Sequence, residues 1–176
     1  MTRTKGLGLA AVTLTVGGCW GLPEADGTLL ALPEQAFFRE VSDALEPRCS
    51  TLDCHGSTAR NLRLYAGRGL RLDPAHVSGT DATTDAEYDA NYRAVVGLEP
   101  EIMDEVVREG GREPERLTLL RKARGAEKHS PGAVIVAGDA ADRCILEWLA
   151  SRPSSASCLE ASYYGPPSDD EGGESE

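Results

Sequence analysis

Aromatic residues are scarce in this chain: they make up 5% of its 176 residues, with only two phenylalanines and two tryptophans. A core cannot be built mainly from rings, so a large apolar cofactor would help to fill one. Cations are also in deficit. Eighteen Lys and Arg stand against 29 Asp and Glu, a formal charge of −11, and no basic stripe is visible. That balance argues against nucleic acid as a partner. No glycine-rich nucleotide loop, no serine–histidine–acid signature and no paired-carboxylate motif stands out. The chain therefore reads as a non-enzyme. Internal repeats are missing too, and the length fits one small domain.

What the chain does have begins with a leader. Arg3 and Lys5 are followed by an apolar run from Leu7 to Val16, too short to span a membrane comfortably. Val16-Gly17-Gly18-Cys19 then resembles the lipobox of bacterial lipoproteins. That resemblance implies removal of residues 1–18, acylation of Cys19 and a lipid anchor in the cell envelope. Trp20, rather than aspartate, follows the cysteine and points to the outer membrane. Residues 19–32 read as a tether. Residues 154–176 read as a disordered tail, acidic and glycine-rich towards its end.

Cys49-Ser50-Thr51-Leu52-Asp53-Cys54-His55 is the densest chemistry in the chain. C-x-x-C-H is the attachment signature of haem c, and here the spacing is C-x4-C-H. Each thiol can add to a haem vinyl group, and His55 can bind the iron on its proximal side. The longer insert must bulge outward if both sulfurs are to reach one porphyrin edge. The competing reading is a small Cys49–Cys54 disulfide loop. Outside the cytosol the five cysteines then sort without remainder: Cys19 takes lipid, Cys49 and Cys54 take haem or pair, and Cys144 and Cys158 can pair.

Hydrophobic spacing predicts a mainly α domain over residues 33–153, with long loops and at most short strands. A helix is predicted from Pro33 to Pro47, with Phe37, Phe38, Val41, Ala44 and Leu45 on one face. Leu62-Arg63-Leu64 and Leu70-Arg71-Leu72 could be short strands or extended walls over a ligand. Thr84-Asp85-Ala86-Glu87 is a capping box opening a helix striped by Tyr88, Tyr92, Val95 and Val96. Pro100 begins another, with Ile102, Met103, Val106 and Val107 inward and Gly110-Gly111 as its stop. Leu117, Leu119 and Leu120 form a further apolar patch. Asp139 caps the last predicted helix, with Ala141, Ile145, Trp148 and Leu149 buried and Pro153 marking the stop.

From Val41 to Leu149 the chain resembles the cytochrome c-like domains of secreted planctomycete and myxobacterial proteins. The residues that carry the likeness are Arg48-Cys49, Cys54-His55-Gly56, Leu70-Arg71-Leu72, His129-Ser130-Pro131-Gly132 and Trp148-Leu149. The resemblance implies haem c on Cys49 and Cys54 and an electron-transfer role with an unidentified redox partner protein. His55 is then the proximal ligand. For the distal position the candidates are His129, then Met103, with His76 read as a surface loop residue. A methionine ligand would raise the potential relative to a second histidine. Two other classes compete: a haem-free structural or binding lipoprotein stapled by Cys49–Cys54 and Cys144–Cys158, and a zinc site made by Cys49, Cys54, His55 and His129. An oxidising compartment makes zinc the weakest of the three.

Overall fold

A computed structural model describes residues 29–163. The leader, Cys19 and residues 164–176 lie outside the described residues. The fold is mainly helical, as expected. Among the described residues six α-helices run in order: α1 (Phe38–Cys49), α2 (Asp85–Val96), α3 (Pro100–Arg108), α4 (Thr118–Ala123), α5 (Ala140–Leu149) and α6 (Ser155–Tyr163). Among the described residues the only β pairing is one isolated bridge between Tyr65 and Leu70. The two leucine–arginine–leucine segments are thus not strands, and of their residues Leu62 lines a cavity.

The few aromatic rings are gathered where α1, α2 and α5 meet. Phe38 packs 5.5 Å from Tyr92 and 5.2 Å from Trp148, measured between ring centres. The indole N–H of Trp148 donates to the Glu34 carbonyl at 2.9 Å, fixing the entry to α1. Around this cluster Val41, Leu45, Val95, Val106, Leu120, Ile145 and Leu149 complete one continuous core.

Four local expectations change on contact with the structure. First, α1 does not stop at Pro47. Its first turn is a short 3-10 segment at Gln35–Phe37, and the helix continues through Pro47 to Cys49. Proline removes one donor, yet the last turn still closes with the bond from Ser50 N to Glu46 O at 3.1 Å. Second, the inward face of α2 is not its tyrosine stripe. Glu87 and Asn91 are buried with Val95 and Val96, while Tyr88 and Tyr92 are partly exposed. Polar residues turn inward because they have work there. Asn91 accepts from the Tyr65 N–H and donates to the Tyr65 carbonyl and Ser42. Glu87 meets Arg71 at 2.9 Å, with both side chains almost wholly buried.

Third, the region taken as the start of a disordered tail is α6. Cys158 and Ala161 are buried, and Cys144–Cys158 is a disulfide tying α6 to α5, with 4.8 Å between Cα atoms. Arg48, at the end of α1, donates to the carbonyls of Ala44 and Ala161 and so anchors the far end of α6. Fourth, the end of the expected tether is engaged. The Ala31 N–H donates to Asp104, and Arg108 donates to the Leu29 carbonyl.

The capping box at Thr84 and Glu87 is formed on both sides, and Asp139 accepts from the Asp142 N–H as the cap of α5. Beyond α3, Gly110 and Gly111 take left-handed φ of 69° and 78° and turn the chain, as the sequence suggests.

Candidate functional site

The last turn of α1 delivers Cys49 to a cavity of about 390 Å³. The segment after it is a closed loop. Cys54 N–H and Gly56 N–H both donate to the Thr51 carbonyl, and His55 N–H donates back to the Cys49 carbonyl at 2.8 Å. Thr51, Leu52 and Asp53 are exposed, so the longer insert does bulge into solvent. Gly56 and Gly69 clasp the base of this loop. A Cβ on either would stand 2.1 Å from the Ser50 carbonyl oxygen, which only glycine avoids.

His55 and His129 meet at the cavity. Both line it, as does Cys49, and the rings lie 6.0 Å apart between centres with planes 25° from parallel. His55 Nδ1 is 2.9 Å from the Leu62 carbonyl oxygen, and His129 Nδ1 is 3.1 Å from that of Gly132. A carbonyl is only an acceptor, so Nδ1 is the donor in each ring, which leaves Nε2 as the nitrogen with the lone pair in a neutral imidazole. This is the arrangement by which a metal-ligating histidine is oriented through its other nitrogen. His129 is carried by the turn at Pro131-Gly132, closed by Gly132 N–H to the His129 carbonyl. That turn is held down where Val134 and Ile135 N–H both donate to the Ala123 carbonyl at the end of α4.

Burial pushes the His55 pKa down, against the hydrogen bond to Leu62, with the nearby His129 and Arg60 charges adding to the fall. A neutral imidazole is the form that binds a metal. Cys49 is pushed up to about 12 by burial, although Arg48 opposes this. Its sulfur is a neutral thiol in the folded chain. Cys49 and Cys54 are both free thiols here, so the expected alternative of a Cys49–Cys54 disulfide is not formed.

The remaining wall is largely apolar, with Leu62, Leu98, Leu119, Ala123 and Val134. Two cations, Arg60 and Lys122, complete it. Neither was singled out from the sequence. Lys122 could have been found, because Thr118, Leu119, Lys122 and Ala123 fall on one face of α4 at helical spacing. Arg60 is placed by its bonds to the Asp53 and Cys54 carbonyls, a loop contact that leaves no periodic trace.

Other candidates fall elsewhere. Cys54 is partly buried but is not on the cavity wall. Met103 is 1% exposed, packed within the core and absent from that wall. His76 lies 3.5 Å from Arg71, away from the two other histidines. Among the described residues no three His, Cys, Asp or Glu side chains converge as a metal-binding group. The four-ligand zinc set is therefore not assembled, because Cys54 is turned off the wall that carries its three partners. Two imidazoles suit a cofactor that brings its own equatorial ligands. The residue types that would hold a haem are present at the cavity: two imidazoles, a sulfur beside them, an apolar wall and two cations.

Comparison with known proteins returns no matching family model, no matching curated protein and no matching solved structure.

Proposed function

We propose that this protein is an electron-transfer lipoprotein of the cell envelope, without catalytic activity, that carries one covalently bound haem c. The observation that supports it best is the pair His55 and His129. They are distant in sequence, share one cavity with Cys49, and are each tied through Nδ1 to a backbone carbonyl. When bound, haem supplies a one-electron iron couple whose potential the protein sets.

The chain's own residues divide the work. Cys49 would hold the cofactor by a thioether from the cavity wall, and Cys54, which is off that wall in the structure, would have to turn towards it to form the second. His55 and His129 would hold the iron through Nε2, with their rings oriented by the Leu62 and Gly132 carbonyls. Leu98, Leu119 and Val134 would give the ring an apolar surround, and Arg60 and Lys122 would supply positive charge for its carboxylates. The neutral, buried Cys49 thiol is a poor nucleophile in the folded chain, so attachment has to precede folding around it. Anchoring through Cys19 and docking of a redox partner protein complete the reading. No described helix is long and apolar enough to cross a membrane.

The test is expression with the cytochrome c maturation machinery, followed by absorption spectra and intact mass. One covalent haem is expected. His55→Ala should abolish the normal spectrum, and His129→Ala should keep haem attached while changing spin state and potential. Met103→Ala should leave the spectrum unchanged. If Met103→Ala alters it and His129→Ala does not, the distal ligand is misassigned. Correctly matured protein without covalent haem would refute the proposal in favour of a haem-free binding lipoprotein.

A further inference from the structure

The segment that leads into α1 is held by its backbone and shows its leucines to solvent. Arg108 donates to the Leu29 carbonyl, and the Ala31 N–H donates to Asp104. The Tyr92 hydroxyl donates to the Pro33 carbonyl at 3.0 Å, and the Trp148 indole to that of Glu34 at 2.9 Å. The segment lies outside every helix, yet α2, α3 and α5 all fasten it.

Pro33 turns inward, while Leu29, Leu30 and Leu32 stay 88%, 44% and 37% exposed. The other exposed large apolar side chains, such as Leu52, Leu72, Val136 and Leu159, belong to separate segments. Single exposed leucines are ordinary, but a row of them on an ordered backbone marks a contact surface.

The chain before the row says what it meets. Ten positions separate Leu29 from Cys19, and a segment of that length reaches at most ~35 Å. A lipid on Cys19 therefore keeps the row close to a bilayer, where a high effective concentration fills even a weak contact. Asp104 is paired with Arg108 at 2.8 Å, so the charges that fasten the row offset each other. The formal charge of −11 makes an anionic surface a poor match, and an uncharged or zwitterionic lipid face a better one.

We propose that Leu29, Leu30 and Leu32 rest in the headgroup region of a zwitterionic bilayer beside the anchor, and so set the orientation of the domain on the membrane. Apolar side chains at this depth add to an acyl anchor as a second, weaker signal. The surface depends on the acylation of Cys19 proposed above, and not on haem. Because the segment is bonded to α2, α3 and α5, seating the row fixes the helical core relative to the bilayer.

The protein is produced with its leader, purified and reconstituted into phosphatidylcholine vesicles. Trp20→Phe silences the tryptophan beside the anchor, Leu30→Trp is the reporter, and Trp148, at 1% exposure, is a constant background. Loss of reporter emission is expected with brominated phosphatidylcholine, and little loss with aqueous acrylamide. Adding Leu29→Ser and Leu32→Ser should reverse both responses. All three positions are exposed, and circular dichroism checks that each variant folds. Intact mass reads acylation separately: protein without an acyl mass refutes the anchor, and the proposal falls with it. Acylated protein whose reporter is open to acrylamide and untouched by brominated lipid overturns the orientation alone. Shielding from acrylamide without quenching by brominated lipid would assign the row to another part of the chain or a second copy, and equally overturn it. So would responses that the two serine substitutions leave unchanged.

Discussion

The stretch from Ser50 to Thr84 and the pair α5–α6 are held to the same core by opposite means. The first contains no helix and is organised by buried polar groups. Arg71 meets Glu87 and also donates to the carbonyls of Asp81 and Ala82, while Glu87 accepts from the Leu72 N–H. Asn91 pins Tyr65 from both sides. The α5–α6 pair is instead closed by a disulfide and by Ala141, Ile145, Trp148 and Leu149, all at most 1% exposed. The helical pair brings its own apolar face, whereas the long loop, with Leu62 and Leu64 as its buried large apolar side chains, is secured mainly by charge and hydrogen bonds. The loop should therefore depend on single polar atoms, and the helical pair on a covalent bond.

The largest effect is expected at the buried pair. Glu87→Leu leaves Arg71 charged and unpaired, and should cost about 3–5 kcal/mol in denaturant unfolding. Adding Arg71→Met should recover only part of this. The double variant removes the stranded charge but orphans the carbonyls of Asp81 and Ala82. Full recovery would mean that the ion pair, and not its carbonyl contacts, is what fastens the loop.

Breaking the other side of the comparison should cost somewhat less. Replacing Cys144 and Cys158 together by serine removes a cross-link over 14 residues of sequence, worth about 3 kcal/mol on the chain-entropy account. The loss should come with reduced helicity, because α6 has little of its own to hold it. Unchanged helical content would show that the contact of Arg48 with Ala161 suffices to keep α6 in place.

These two regions also differ in how legible they were. The cap at Asp139 and the buried face through Trp148 followed from spacing, because apolar residues at helical intervals carry their own signal. Cys49, His55 and His129 were found because chemistry-bearing residue types are few and stood beside recognisable turns. α6 was hidden because Ser155, Ser157 and Ala161 resemble a linker in composition; its helix depends on the partners it meets and not on its own sequence. The burial of Glu87 and Asn91 was not legible, since nothing local announces that a carboxylate will be met by Arg71 from a loop.

Glu46 gives a third, pH-dependent test on the loop side of the comparison. Burial raises its pKa from 4.5 to about 7, opposed by the Thr83 hydroxyl and helped by the Asp43 and Glu87 charges. The folded state therefore holds this proton more tightly than the unfolded chain. Its contribution to stability is complete below pH 4.5 and is lost as pH climbs through about 7. Glu46→Gln removes that titration, so the variant should gain on the wild type between pH 5 and pH 8, by on the order of 2 kcal/mol. Urea midpoints at the two pH values measure it, and a constant difference would place the ionisation elsewhere.

The smallest expected effects sharpen the contrast at the two helix starts. Thr84 caps α2 and Asp139 caps α5, each accepting from the N–H three residues on. Loss of such a cap costs about 1 kcal/mol. Asp139→Ala should stay near that value, because α5 is also held by its apolar face and the disulfide. Thr84→Ala should exceed it. The Thr84 hydroxyl and N–H both donate to Glu87 Oε2, the same oxygen that receives Arg71. Removing the hydroxyl therefore weakens the cap and the charge network together. Hydrogen exchange on the Asp81–Ala86 amides should accelerate in Thr84→Ala and not in Asp139→Ala. Equal costs for the two variants, with no change in exchange, would mean that the cap and the ion pair act independently.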